Sequence, residues 1–203
     1  MLKKYLLPMM AAMSFSQMTI AEEIGLRFYV DDEVASTPAE QQAYRSTIEG
    51  WVATLNTFYV SSEVNLQAKL TGIEFNDYNN GGESDPDILK SMMENETMNF
   101  SGLLDKAHEY GVDYNIGIFN SVTGIGGSAA QVSLDIQTIS SLRKSYLVMS
   151  ANSNGVYTLA HELGHLMGLS HGDYVERNDT DPTNGPHNLG LDSRAKGWAE
   201  GNE

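Results

Sequence analysis

Eleven residues, His161 to His171 (HELGHLMGLSH), constrain this chain more than any other stretch. Positions four apart lie on one face of a helix, so His161 and His165 aim their imidazoles at a common point. At 100° per residue, Val156, Leu159, Leu163 and Leu166 fall on the opposite face. Any fold that accepts this segment must bury one side of a helix in a core and leave the other side open to a ligand. Gly168 can take the positive φ that ends a helix, and the turned chain can then bring His171 to the same point.

Three neutral imidazoles at one point are a zinc-ligand set with a free fourth position for water. The metal lowers the pKa of that water to about 7. Glu162, beside the histidine face, is placed to take the water's proton and pass it to a departing amine. That is the chemistry of amide hydrolysis, with His161, His165 and His171 as metal ligands and Glu162 as the catalytic base. A packing helix with incidental histidines is the competing reading. Five fixed residues match by chance in a chain of average composition with odds on the order of one in a hundred thousand, which disfavours it.

The rest of the chain reads as one domain around that helix. Ile24 to Val30 is rich in β-formers. Thr37, Pro38, Ala39 and Glu40 form a capping box with proline at the first helical position, followed by Tyr44, Ile48, Trp51, Val52, Leu55 and Tyr59 at helical spacing. Val64 to Phe75 predicts a second strand, Asp85 and Pro86 open a short helix to about Glu94, and Ser101 to Tyr110 predicts another, stopped by Gly111. Tyr114 to Phe119 and Ser145 to Met149 predict compact strands, and Gly124 to Val132 a small-residue segment that another backbone can approach closely. The last helix is predicted from Gly155 to about Leu169, capped by the Asn152, Ser153, Asn154 cluster. Helix followed by buried strand implies crossovers, so the expected class is α+β with a mixed, mostly parallel sheet of about five strands.

The N-terminus carries a different signal. Lys3 and Lys4 precede an apolar run from Tyr5 to Phe15, too short to span a bilayer, and small residues at Thr19 and Ala21 have the spacing of a signal-peptidase site. Residues 1–21 are read as a signal peptide cleaved after Ala21, with residues 22–203 as the catalytic domain, secreted or periplasmic and without a membrane anchor. The formal net charge of −15 repels nucleic acid and anionic lipid. The absence of cysteine excludes disulfides, thiolate zinc sites and cysteine nucleophiles.

The extended motif HExxHxxGxxH resembles that of the metzincins, zinc endopeptidases named for it and for a methionine-bearing turn beneath the metal. The strong match covers His161 to His171, with weaker agreement in the order of strands and helices. Gly168 to His171 is similar to the turn of serralysin-like and matrixin-like members, and Arg194 to Trp198 to the approach to the methionine turn in secreted bacterial reprolysin-like proteins. The resemblance implies a collagenase-catalytic-domain-like fold, a cleft between an upper and a lower subdomain, and cleavage of internal bonds in extended protein or peptide substrates by a monomer. It also implies that Gly124 to Val132 is the sheet edge that pairs with the substrate backbone. The last methionine is Met167, which lies between two ligands and cannot be the turn methionine, so the lower subdomain is expected to be incomplete, by truncation, a frameshift or an incomplete gene model. The alternative function is a zinc-binding relative without efficient peptidase activity.

Smaller signals rank lower. His108 reads as part of a solvated helix face and His187 as a loop residue. Asp173, Asp179, Asp181 and Asn184 supply oxygens for a calcium ion, but without EF-hand spacing a solvated acidic loop is the favoured reading. Asp173 also has a position that allows it to orient a histidine ligand. No GxSxG elbow supports a serine hydrolase.

Overall fold

The computed structural model describes residues 21–78, 81–123, 126–129 and 146–169. Five strands, β1 (Glu22–Asp31), β2 (Leu66–Asn76), β3 (Tyr114–Phe119), β4 (Gly127–Ala129) and β5 (Tyr146–Ser150), form one sheet in the order β2-β1-β3-β5-β4. All neighbours are parallel except β4, which runs antiparallel to β5 at the edge. The α+β class and the mostly parallel sheet expected from the sequence are what the fold shows.

Among the described residues four helices cover the two faces: α1 (Pro38–Ser61), α2 (Pro86–Glu94), α3 (Leu103–Tyr110) and α4 (Val156–Leu166), with a 3-10 turn at Met98–Phe100 between α2 and α3. Parallel strands are stable only with both faces covered, and alternation in the central strand serves both. Ile24, Leu26, Phe28 and Val30 of β1 pack with Ile48, Val52 and Leu55 of α1 and Leu159, Leu163 and Leu166 of α4. Tyr29 points the other way, into a second cluster with Tyr78, Leu89, Met93, Phe100, Leu103 and Phe119 beneath α2 and α3. There Phe100 stacks on Tyr78 with ring centroids 4.3 Å apart.

The helix starts follow their sequence signals. Thr37 accepts from the Glu40 N–H while the Glu40 carboxylate accepts from the Thr37 N–H, both halves of the capping box. Asp85 caps α2 by accepting from the Asp87 and Ile88 N–H groups. Gly111, at φ 62°, ends α3.

Two details differ from expectation. The cap of α4 is not the Asn152, Ser153, Asn154 cluster: Gly155 holds that position at φ 56° and ψ −118°, with no side-chain cap hydrogen bond. A Cβ at Gly155 would lie 3.0 Å from Trp51 Nε1, so the indole from α1 takes the place where a capping side chain would begin. The helix itself stops at Leu166, a turn short of Leu169, because the chain folds back there.

One sheet edge is met by a side chain at one residue. On the β2 side, Asn56 of α1 donates to the Ala68 carbonyl at 2.9 Å and accepts from the Ala68 N–H at 2.7 Å, meeting the two groups the ladder leaves open. Of the earlier readings, the signal segment through residue 20, His171, Asp173, Asp179, Asp181, Asn184, His187 and Arg194 to Trp198 lie outside the described residues.

Candidate active site

The site is built on α4. Its amphipathic pattern holds: Leu159, Leu163 and Leu166 are buried in the core and Val156 packs against it, which turns His161 outward with His165 one turn further along. The two imidazoles meet edge to face, with Nε2 atoms 3.1 Å apart. A tetrahedral ion with bonds of ~2.1 Å needs nitrogens about 3.4 Å apart, so this pair fits a zinc ion with a small outward adjustment.

The end of α4 orients the second histidine. Gly168 stands at φ 89°, its N–H donates to the His165 carbonyl at 3.0 Å, and the Leu169 N–H donates to the Gly164 carbonyl at 2.9 Å. These two bonds form a Schellman motif, which requires the left-handed residue that Gly168 supplies. The turned-back Leu169 carbonyl then lies 2.8 Å from His165 Nδ1. A carbonyl only accepts, so Nδ1 carries the proton, and in the neutral form that a metal needs the lone pair sits on Nε2, toward His161. Among the described residues, no group of three or more His, Cys, Asp or Glu side chains converges as a metal cage. The structure therefore brings together two of the three expected ligands.

Glu162 is buried beside them, 5% exposed. Burial raises its carboxyl above the usual carboxylate range; the charges of His165 and Lys90 and a hydrogen bond from the Ala129 backbone pull the other way. The side chain is squeezed between α4 and the edge strand β4. A Cβ at Gly127 would lie 2.8 Å from Thr158 Cγ2 and 3.0 Å from Glu162 Cγ, so only glycine lets the strand come this close. The small-residue segment thus serves the approach that its composition predicts, and its described part is the outermost strand of the sheet.

Sequence reasoning missed Lys90. Its ammonium, reaching round from α2, lies 2.7 Å from Ser128 Oγ and 3.1 Å from the Ala129 carbonyl oxygen. No local motif announces it, because its partners stand 38 and 39 residues away. His108 lies on α3, remote in sequence from the two histidines of α4.

No curated protein matches the chain. Among solved structures, one described as a chaperone-substrate complex superposes with a TM-score of 0.62 at 15% identity, over 76% of this chain and 27% of that one. Metalloproteinase-II from Bacteroides fragilis superposes with a TM-score of 0.50 at 16% identity, over 80% of this chain and 46% of that one. The chain spans less than half the length of either, and at such identities the likeness shows the fold alone. The sequence model Reprolysin_5, described as metallo-peptidase family M12, matches residues 22–190, and on that match this chain belongs to the M12 metallopeptidases.

Proposed function

We propose that this chain is a zinc-dependent endopeptidase acting outside the cytoplasm, with His161, His165 and His171 as metal ligands and Glu162 as general base. One observation carries the reading: two imidazole nitrogens converge to 3.1 Å beside a buried carboxylate, at the outermost strand of the sheet. A zinc ion bound there supplies Lewis acidity toward a peptide carbonyl and brings the pKa of an attacking water to about 7.

The protein's own groups account for the remaining steps. β4 offers main-chain groups to an extended substrate, which fixes the scissile bond against the face of α4. Glu162 accepts a proton from the attacking water on a carboxylate oxygen and returns it to the departing amine nitrogen. Its burial favours the first transfer, since desolvation raises the proton affinity of the carboxylate, and the departing amine is a strong enough base to take the proton back. The Leu169 carbonyl keeps His165 in the tautomer whose free lone pair faces the metal.

Export rests on the basic, apolar and small-residue order of residues 1–21. Two boundaries support it: β1 begins at Glu22, and the family match begins at residue 22. No helix among the described residues is long and apolar enough to cross a membrane.

The test is to prepare the chain from Glu22 onward, measure bound zinc, and follow cleavage of quenched fluorescent casein beside Glu162→Ala. Stoichiometric zinc with activity lost in the variant is the expected result. Zinc without cleavage in either protein would instead identify a zinc-binding relative, and no zinc at all would remove the reading.

A further inference from the structure

The hydrogen bonds of β4 fix which of its main-chain groups face outward. The Ser150 N–H donates to the Gly126 carbonyl at 2.9 Å, and Gly127, Ser128 and Ala129 stand opposite Met149, Val148 and Leu147. In an antiparallel pair bonded positions alternate, so Gly126 and Ser128 turn their main-chain groups toward β5, whereas Gly127 and Ala129 turn theirs to the side where no strand pairs among the described residues. Ala129 is therefore a docking position for an added strand. Its N–H is drawn to Glu162, and its carbonyl accepts from Lys90.

Lys90 is unusually fixed for a lysine. An ammonium has three N–H donors, and here each has an acceptor: Asp87 Oδ1 at 2.9 Å, Ser128 Oγ at 2.7 Å and the Ala129 carbonyl at 3.1 Å. Its side chain is 15% exposed while Asp87 is 85% exposed, so the contact with β4 is the sheltered one. The two helices clasp the strand from opposite faces, since Gly127 faces Thr158 and Glu162 of α4 whereas the Ser128 hydroxyl meets α2. β4 has three residues, one of them a glycine.

We propose that Lys90 is a positioning residue for peptide binding, its ammonium pegging Ser128 and Ala129 so that the edge strand presents its main chain at a fixed depth beside Glu162. A carbonyl oxygen has two lone pairs, so Ala129 can hold Lys90 and still accept an N–H from an extended peptide. The contrast with the far edge supports a separate role there. At β2, Asn56 meets both groups of Ala68 with one neutral amide, which closes the edge at that residue. At β4, the two groups of Ala129 are held by separate charged side chains, one of which is the proposed base. The inference rests on the reading of β4 as the strand that receives the substrate.

The test uses the chain from Glu22 with Lys90→Met, Lys90→Arg and Ser128→Ala. Three readings are taken: amide exchange over residues 126–129 in zinc-free protein, anisotropy of fluorescein-labelled casein with zinc-free protein, and kcat and KM on quenched casein with zinc. Losing a charge-assisted hydrogen bond is expected to speed exchange of the β4 amides about tenfold or more in Lys90→Met, with the rest of the sheet unchanged. Casein binding weakens and KM rises by about the same factor, while kcat changes less than KM, because Lys90 holds Ser128 and Ala129 and not the reacting bond. Lys90→Arg recovers part of the loss, and Ser128→Ala, which keeps the lysine, shows a smaller change in the same direction. Unchanged exchange would overturn the proposal, as would faster exchange with unaltered casein binding and KM. Wild-type protein that binds casein more tightly than Lys90→Met but never cleaves it would sink the peptidase reading and leave the peg standing. Cleavage by wild type, with an unchanged KM in the variant, would do the reverse.

Discussion

The carbonyl of Leu169 and the Nδ1 of His165 stand 2.8 Å apart, four residues apart in the chain and joined across the end of α4. A helix that ran straight on would have carried the Leu169 carbonyl away along its axis. Because the chain reverses at Gly168, that carbonyl returns to the histidine and selects its tautomer. The glycine of HExxHxxG therefore acts twice: it ends the helix and orders the histidine before it.

Gly168→Ala tests that link. An alanine in the left-handed region costs roughly 1–2 kcal/mol, so the urea midpoint should fall accordingly. Zinc affinity should fall as well, by about tenfold or more, since the carbonyl that orients His165 moves with the turn. Competition with a chelating dye measures it; a destabilised protein with unchanged zinc affinity would show that the turn ends the helix and nothing else.

Gly127→Ala places a methyl 2.8 Å from Thr158 Cγ2, 3.0 Å from Glu162 Cγ and 3.1 Å from the Val148 carbonyl oxygen. Backbone crowds one side of it, so α4 must yield, at a cost of about 1–3 kcal/mol. Casein cleavage should drop further than the melting temperature suggests, because the group displaced is Glu162. Equal losses in stability and activity would argue that the contact is packing alone.

Gly155→Val combines a backbone conformation of φ 56° and ψ −118° with a clash against Trp51. The strain alone is worth about 1–3 kcal/mol. Trp51 should also report it, through a shift in indole emission before unfolding begins. Emission identical to wild type would mean that the ring is not held by this turn.

Asp31, 2% exposed at the end of β1, has its carboxyl raised above the usual value of 3.8, chiefly by burial and against hydrogen bonds from the Glu33 and Tyr78 backbones. An acid with a raised folded-state pKa binds its proton more firmly folded than unfolded, so its contribution to stability improves as pH falls through that value. The cost of the charge is felt in full at neutral pH. Asp31→Asn keeps an oxygen for the Glu33 N–H and should be more stable than wild type at neutral pH, with the advantage shrinking toward pH 4. Paired urea titrations at the two pH values give the sign directly.

Much of the fold is legible in local sequence because its signals are local: the Thr37 capping box, the Asp85 and Pro86 start, the left-handed Gly111 and Gly168, and the apolar stripe of α4. The two described histidines and Glu162 are legible for the same reason, being fixed to one another by helical geometry over five residues. What escaped depends on tertiary approach. Gly155 reads as an ordinary loop glycine until Trp51 of α1 is placed beside it, and Lys90 reads as a surface charge until the sheet order sets α2 across from β4. The polar cluster of Asn152, Ser153 and Asn154 misled because composition cannot show that an indole already fills the capping position.

The order of strands has a consequence for how the chain comes into being. β1 is first in sequence but second in the sheet, and its other neighbour, β3, follows far later: the Gly25 N–H finds the Asp113 carboxylate across 88 residues. Closing so long a loop is entropically costly, and the pairing rewards it only once both strands are present. The sheet on that side of β1 is completed only when Tyr114 and the rest of β3 have been delivered. Closure around the core is therefore expected late, after more than half of the chain has been delivered.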